Sequence, residues 1–111
     1  MPTPAPAGLP QGTLDLLILQ TLARGPRHGY GVARWIEETT DDVLSIEEGS
    51  LYPALYRMER RGWIAARWKE SDLGKDIKVY ALTEAGRAEL RARAAGWAQL
   101  THAVGKVLRA R

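Results

Sequence analysis

Hydroxyls and guanidinium groups are concentrated between Glu48 and Ile64, and together they suit hydrogen bonding to anions. Ser50, Tyr52 and Tyr56 carry hydroxyls, and Arg57, Arg60 and Arg61 follow closely. The planar guanidinium matches phosphate oxygens and the O6 and N7 edge of guanine. Leu51, Leu55 and Met58 recur at i, i+4 and i+7, the spacing of one buried stripe on a helix. That stripe leaves Ser50, Tyr52, Pro53, Ala54, Tyr56, Arg57 and Arg60 on the exposed face, where Glu59 is the nearby acid. Pro53 lacks an N–H and fits a first turn, so the reading starts the helix at about Gly49 or Ser50, either of which can cap it. Gly62 closes it after Arg60 and Arg61. A helix whose N-terminus offers hydroxyls, with arginines further along, suits a groove lined with phosphates.

Other chemistry has little to work with. The 111 residues include no Cys, so thiolate chemistry, disulfides and thiol metal sites are excluded. The two histidines, His28 and His102, are far apart in sequence. No catalytic residue, metal site or cofactor is expected. The run His28-Gly29-Tyr30-Gly31 has the glycines of a phosphate loop. The reading finds no strand before it, and no Lys-Ser/Thr follows, so the glycines are taken to allow close helix packing and His28 to cap or lie at the surface. There is neither an apolar run of membrane-spanning length nor the charge pattern of a signal peptide, so a cytoplasmic protein without a membrane partner is expected.

Charge is unevenly spread. The net charge is +3. Residues 37–48 hold six acids and no bases, whereas residues 57–78 hold seven bases and four acids. A polarised surface of this kind fits a nucleic-acid binder, although chance clustering on a solvated surface would look similar.

The elements that must position these groups follow from periodicity. Residues 1–10 carry four prolines and no charged side chain, and read as a disordered arm. Thr13 is a plausible cap for a helix in which Leu14, Leu16, Leu17, Ile18, Leu19 and Leu22 go most of the way round. A helix so apolar needs cover on more than one side, and a second copy of the chain would supply it. A second helix carries Val32, Ala33, Trp35 and Ile36, and the helix of the opening stretch is the third. The period then changes to two. Ile64, Ala66 and Trp68 alternate with Ala65, Arg67 and Lys69, and Ile77, Val79 and Ala81 with Lys78, Tyr80 and Leu82, which gives an antiparallel hairpin with a polar tip over 70–76. Lys75 and Lys78 are placed around that tip. Thr83-Glu84 starts a long helix, with Leu90, Ala94, Trp97, Thr101, Val104 and Leu108 along a coiled-coil-like seam.

Three helices, a hairpin and a final helix make a mostly α fold with a small β-hairpin: a winged helix-turn-helix over 11–83 and a C-terminal dimerisation helix over 84–111. In this order the chain resembles the PadR family of bacterial transcriptional regulators, in its short form with a single C-terminal helix. The resemblance rests on His28-Gly29-Tyr30, on Glu48-Gly49-Ser50-Leu51-Tyr52-Pro53-Ala54-Leu55, on Met58-Glu59 and Gly62-Trp63-Ile64, and on Tyr80-Ala81-Leu82-Thr83-Glu84-Ala85-Gly86. It covers about residues 11 to 108.

The resemblance implies a homodimer whose last helix packs on the partner's first helix. It implies a recognition helix over about 50–61 in the major groove of a double-stranded operator, and a wing over 63–83 on the backbone. It further implies a repressor. Some short members bind flat aromatic drugs between paired tryptophans at the dimer interface, and Trp97 occupies the matching place.

The residues expected at DNA are therefore Ser50, Tyr52, Pro53, Tyr56, Arg57, Lys75 and Lys78, with Trp97 at a planar aromatic effector. Three of them have a plainer alternative. Tyr52 can pack under the wing, Arg57 can pair with an acid, and Trp97 can serve ordinary dimer packing. A winged helix used for protein interaction without DNA is the competing function, and the acidic run at 37–48 would suit it.

Overall fold

The computed structural model describes residues 9, 10 and 12–111. Most of the arm expected over 1–10 thus lies outside the described residues. The elements are helix α1 (Thr13–Ala23), strand β1 (Arg27–His28), helices α2 (Gly29–Thr39) and α3 (Glu48–Arg60), strands β2 (Ile64–Glu70) and β3 (Asp76–Leu82), and helix α4 (Glu84–Arg109).

The sheet has three strands in the order β1-β3-β2, all antiparallel, where the sequence suggests only the hairpin. Arg27 pairs with Tyr80 and His28 with Val79, so β1 closes the inner edge of the wing. A two-residue strand is too short to show a period-two pattern. It immediately precedes the glycines of α2, where the sequence reading finds no strand. In the hairpin, Ile64 faces Leu82 and Glu70 faces Asp76.

The core draws on every major element. Ile18, Leu19 and Leu22 of α1, Val32 and Ile36 of α2, Leu51, Leu55 and Met58 of α3, and Ile64 and Tyr80 of the sheet are buried together. Fully burying an aliphatic side chain of this size contributes about 1.5–3 kcal/mol. Ala54 belongs to the same core at 2% exposure, which corrects its expected place on the outer face of α3. It lies three residues after Leu51, so the buried stripe is wider than i, i+4, i+7 alone.

Helix starts also differ from expectation. Gly12, at φ 86°, caps α1, and Thr13 is its first helical residue with no side-chain cap. In α3 the N-cap is Glu47, so the helix begins one to two residues earlier than Pro53 suggests. The first turn is held by the Ser50 and Leu51 N–H groups donating to the Glu47 carbonyl. Pro53 therefore sits inside the helix, and the carbonyl its missing N–H leaves unbonded belongs to exposed Gly49, where water can serve it.

The junction of wing and α4 is tightly specified. Thr83 Oγ1 donates to the Gly62 carbonyl at 2.6 Å and accepts from the Gly86 N–H at 3.0 Å, capping α4 while gripping the end of the α3–β2 turn. Gly86 is buried against the Trp63 carbonyl, and a Cβ there would also come within 2.6 Å of Leu82 Cδ1. The Leu-Thr-Glu-Ala-Gly run is thus a docking joint.

Leu90 packs on the core and α4 runs beside α1 as far as Arg93 and Trp97 before it leaves the body, in a protein with a long dimension of 60 Å. Trp97, Leu100, Val104, Val107 and Leu108 are exposed along it. Of the expected seam, Ala94, Trp97, Thr101, Val104 and Leu108 are exposed, Leu100 joins them, and Leu90 is used internally. Among the described residues no helix is long and apolar enough to cross a membrane.

Candidate nucleic-acid interface

With Leu51, Ala54, Leu55 and Met58 turned inward, α3 presents Ser50, Tyr52, Pro53, Tyr56, Arg57 and Arg60 to solvent. All five of the expected α3 residues therefore share one exposed face. Ser50, Pro53 and Arg57 follow each other at helical spacing, as do Tyr52, Tyr56 and Arg60.

Tyr52 is anchored by α2. A Cβ on Gly29 would meet its Cε1 at 2.8 Å, so glycine at that position lets the ring lie against the first turn of α2. Tyr52 still keeps 44% of its surface exposed. It borders a crevice of about 430 Å³ with His28, Tyr30, Ile77, Lys78 and Tyr80, between α2, α3 and the wing. His28 is the N-cap of α2: its Nδ1 accepts from the Gly31 N–H at 3.0 Å, as the capping reading expects. The His28 ring stacks parallel to Tyr30, 6.3 Å between centroids.

Towards the C-terminus of α3, Tyr56, Arg57, Arg60 and Arg61 line a basic cleft of about 340 Å³. The Arg60 guanidinium lies over the Tyr56 ring at 5.7 Å. Arg57 pairs with an acid, the plainer alternative open to it: its Nη2 donates to Asp15 Oδ1 at 2.6 Å, yet 46% of its side chain remains exposed. Asp15 interrupts the apolar run of α1. A charge inside such a run signals an ion pair with another element, and here the partner is Arg57.

The two wing lysines part company. Lys75 is exposed in the tip, where its N–H donates to Ser71 Oγ at 3.2 Å. Lys78 instead reaches α3, its Nζ donating to Glu59 Oε1 at 3.2 Å and lying 5.4 Å from the Tyr80 ring. The hydrogen bond to Glu59 is the main reason its ammonium is held above the ordinary lysine value. The pair's small contribution to stability is thus fully present below that ordinary value and lost as pH rises through the raised one.

The acidic run ahead of α3 partly builds its turn. Glu37 Oε2 accepts the Ile46 N–H at 3.0 Å, and Asp41 and Asp42 adopt left-handed backbone at φ 51° and 63°.

Trp97 stands apart from this face. With Pro10, Gly12, Thr13, Leu16, Arg93 and Leu100 it lines a groove of about 230 Å³ between α1 and α4. Leu16 of α1 and Leu100 of α4 thus join the two apolar surfaces read from the sequence.

This arrangement has close counterparts among known proteins. A transcriptional regulator from Clostridium thermocellum superposes with a TM-score of 0.80 at 27% identity, covering 86% of this chain and 93% of that one. A PadR family regulator from Eggerthella lenta gives 0.77 at 35% identity, covering 91% and 86%. The negative transcriptional regulator PadR of Bacillus subtilis is 29% identical over 77 residues, which are 69% of this chain but 42% of that protein. The model of the PadR-like transcriptional regulator family matches residues 18–92, from the core of α1 into α4, and this chain belongs to that family of transcriptional regulators.

Proposed function

We propose that the chain is a dimeric repressor that inserts α3 into the major groove of an operator and lays its wing along the backbone. Its winged body would be residues 11–83 and its dimerisation element residues 84–111. Membership of the family makes it a DNA-binding regulator and not an enzyme. The observation that carries the finer reading is the outer face of α3, where Ser50, Tyr52, Pro53, Tyr56 and Arg57 are all presented while the opposite stripe is buried. Ser50 and Tyr52 lie near the N-terminal end and suit phosphate and base edges, and Arg57 and Arg60 extend the contact. Lys75 at the exposed tip adds attraction independent of sequence, and Lys78 adds less because Glu59 shares its charge.

Dimerisation is supported by the apolar stripe of α4 and its continuity with Leu16 across the Trp97 groove. A flat aromatic molecule stacked on Trp97 in that groove would act as the effector that releases DNA. Repression follows the function of the Bacillus subtilis relative, a negative regulator. The site of action would be the cytoplasm.

The test is a gel-shift titration against the chain's own upstream DNA at rising salt. Preference over random duplex, with affinity falling steeply as salt rises, supports the reading. Binding that is absent or indifferent to sequence refutes it, and then favours a protein-interaction module.

A further inference from the structure

Asp15 is a carboxylate with 6% of its surface exposed, set on α1 beneath the outer face of α3. Its two oxygens face cations from different helices. Oδ1 accepts from Arg57 Nη2 at 2.6 Å, and Oδ2 lies 3.9 Å from Arg93 Nη1 of α4. Arg93 has other partners: its Nε donates to Glu89 at 2.7 Å, and its guanidinium lies 5.1 Å from the Trp63 ring. The short bond of Asp15 is therefore the one to Arg57. Among the described residues, Asp15 is the acceptor that holds Arg57, whose other N–H groups have no protein partner.

We propose that Asp15 is a positioning residue for DNA recognition: it orders the Arg57 side chain before the duplex arrives, so that the free part of the guanidinium is presented in one orientation. This rests on the DNA-binding reading above. A long arginine side chain loses much rotamer freedom when it binds, and ordering it beforehand removes that cost from association. The anion sits on the rigid core side of the pair and the cation on the solvent side, the arrangement that such preordering needs. Nearly half of the Arg57 side chain stays in solvent, so the rest of its guanidinium is open to a further acceptor.

The experiment compares wild type, Asp15→Asn, Asp15→Glu, Arg57→Gln and the Asp15→Asn, Arg57→Gln double variant. Each is titrated against its own operator and a random duplex, and its melting temperature is measured. Wild type that shows no preference for its operator overturns the DNA-binding reading, and this inference with it. Given that preference, Asp15→Asn lowers the operator-to-random ratio by about two- to tenfold, the loss expected from one unordered side chain. Its affinity for random duplex holds or rises, because one negative charge is gone. The double variant loses no more than Arg57→Gln alone. A ratio unchanged or raised in Asp15→Asn, or losses that add in the double variant, overturns the proposal. A pair that merely braces α1 against α3 would move the melting temperature and leave the ratio alone. Should Asp15→Asn fail to fold, Asp15→Glu decides: it keeps the charge on α1 but moves the acceptor by one methylene, and its ratio falls about two- to tenfold. An unchanged ratio there also overturns the proposal.

Discussion

Gly86→Ala is expected to destabilise the protein although alanine is the better helix former. The new Cβ would fall 2.6 Å from Leu82 Cδ1 and 3.0 Å from the Trp63 carbonyl carbon, with the carbonyl oxygen closer still. Ordinary contacts begin near 3.5 Å and the backbone oxygen falls furthest inside that limit, so α4 must move by more than about 1 Å. Backbone atoms cannot swing aside as a side chain can. Overpacking of this kind costs about 1–3 kcal/mol. The shift also stretches the Thr83 cap on the Gly86 N–H, worth about 1 kcal/mol. Replacing glycine in a helix returns about 1 kcal/mol. The net loss is about 2 kcal/mol, which for a domain near this size lowers the melting temperature by roughly 10 °C. Thermal unfolding followed by circular dichroism at one fixed protein concentration reads this directly. A melting temperature equal to wild type would refute the close-approach argument.

Four further outcomes follow from the same geometry. Tyr52→Ala weakens operator binding about tenfold with folding intact, and Gly29→Ala, which pushes against the Tyr52 ring, weakens it less; equal affinity in both would remove Tyr52 from the interface. Glu59→Gln frees Lys78, so affinity for operator and random duplex rises alike and the salt dependence steepens by about one ion; a flatter slope would contradict this. Gly96 has open space around a would-be Cβ within the protomer, so Gly96→Ala strengthens an isolated helix by about 1 kcal/mol yet weakens a dimer packed on that face; light scattering at micromolar concentration decides, and a monomeric wild type would contradict the dimer. Trp97→Ala abolishes the fluorescence response to planar aromatic dyes, and undiminished dye binding would exclude the groove as their site.

The helices and the hairpin were legible because their signals are local. A dense apolar run marks α1, apolar spacing of three and four marks α2 to α4, and alternation marks β2 and β3. Strand β1 was not, because two residues have no period and its pairing with Tyr80 and Val79 is set by tertiary contact. Pro53 misled the start of α3 because the helix can leave the exposed Gly49 carbonyl to water. The α3 face was legible as a set of residues, since one buried stripe defines its opposite. What those side chains touch was less so. Lys78 stands near the wing tip in sequence but leans to Glu59, and Arg57 is paired across 42 positions of chain. Long side chains reach partners that no short-range spacing encodes.

The Thr83–Gly86 joint turns α4 into a lever. Its 26 residues extend about 39 Å at 1.5 Å each. The last turns, from Trp97 to Arg109, project about 20 Å beyond the body, so a bend of about 10° there displaces the far end by about 3.4 Å, one nucleotide step along a DNA strand. In the proposed dimer, small changes in how two such levers cross would alter which spacing between half-sites the pair can span.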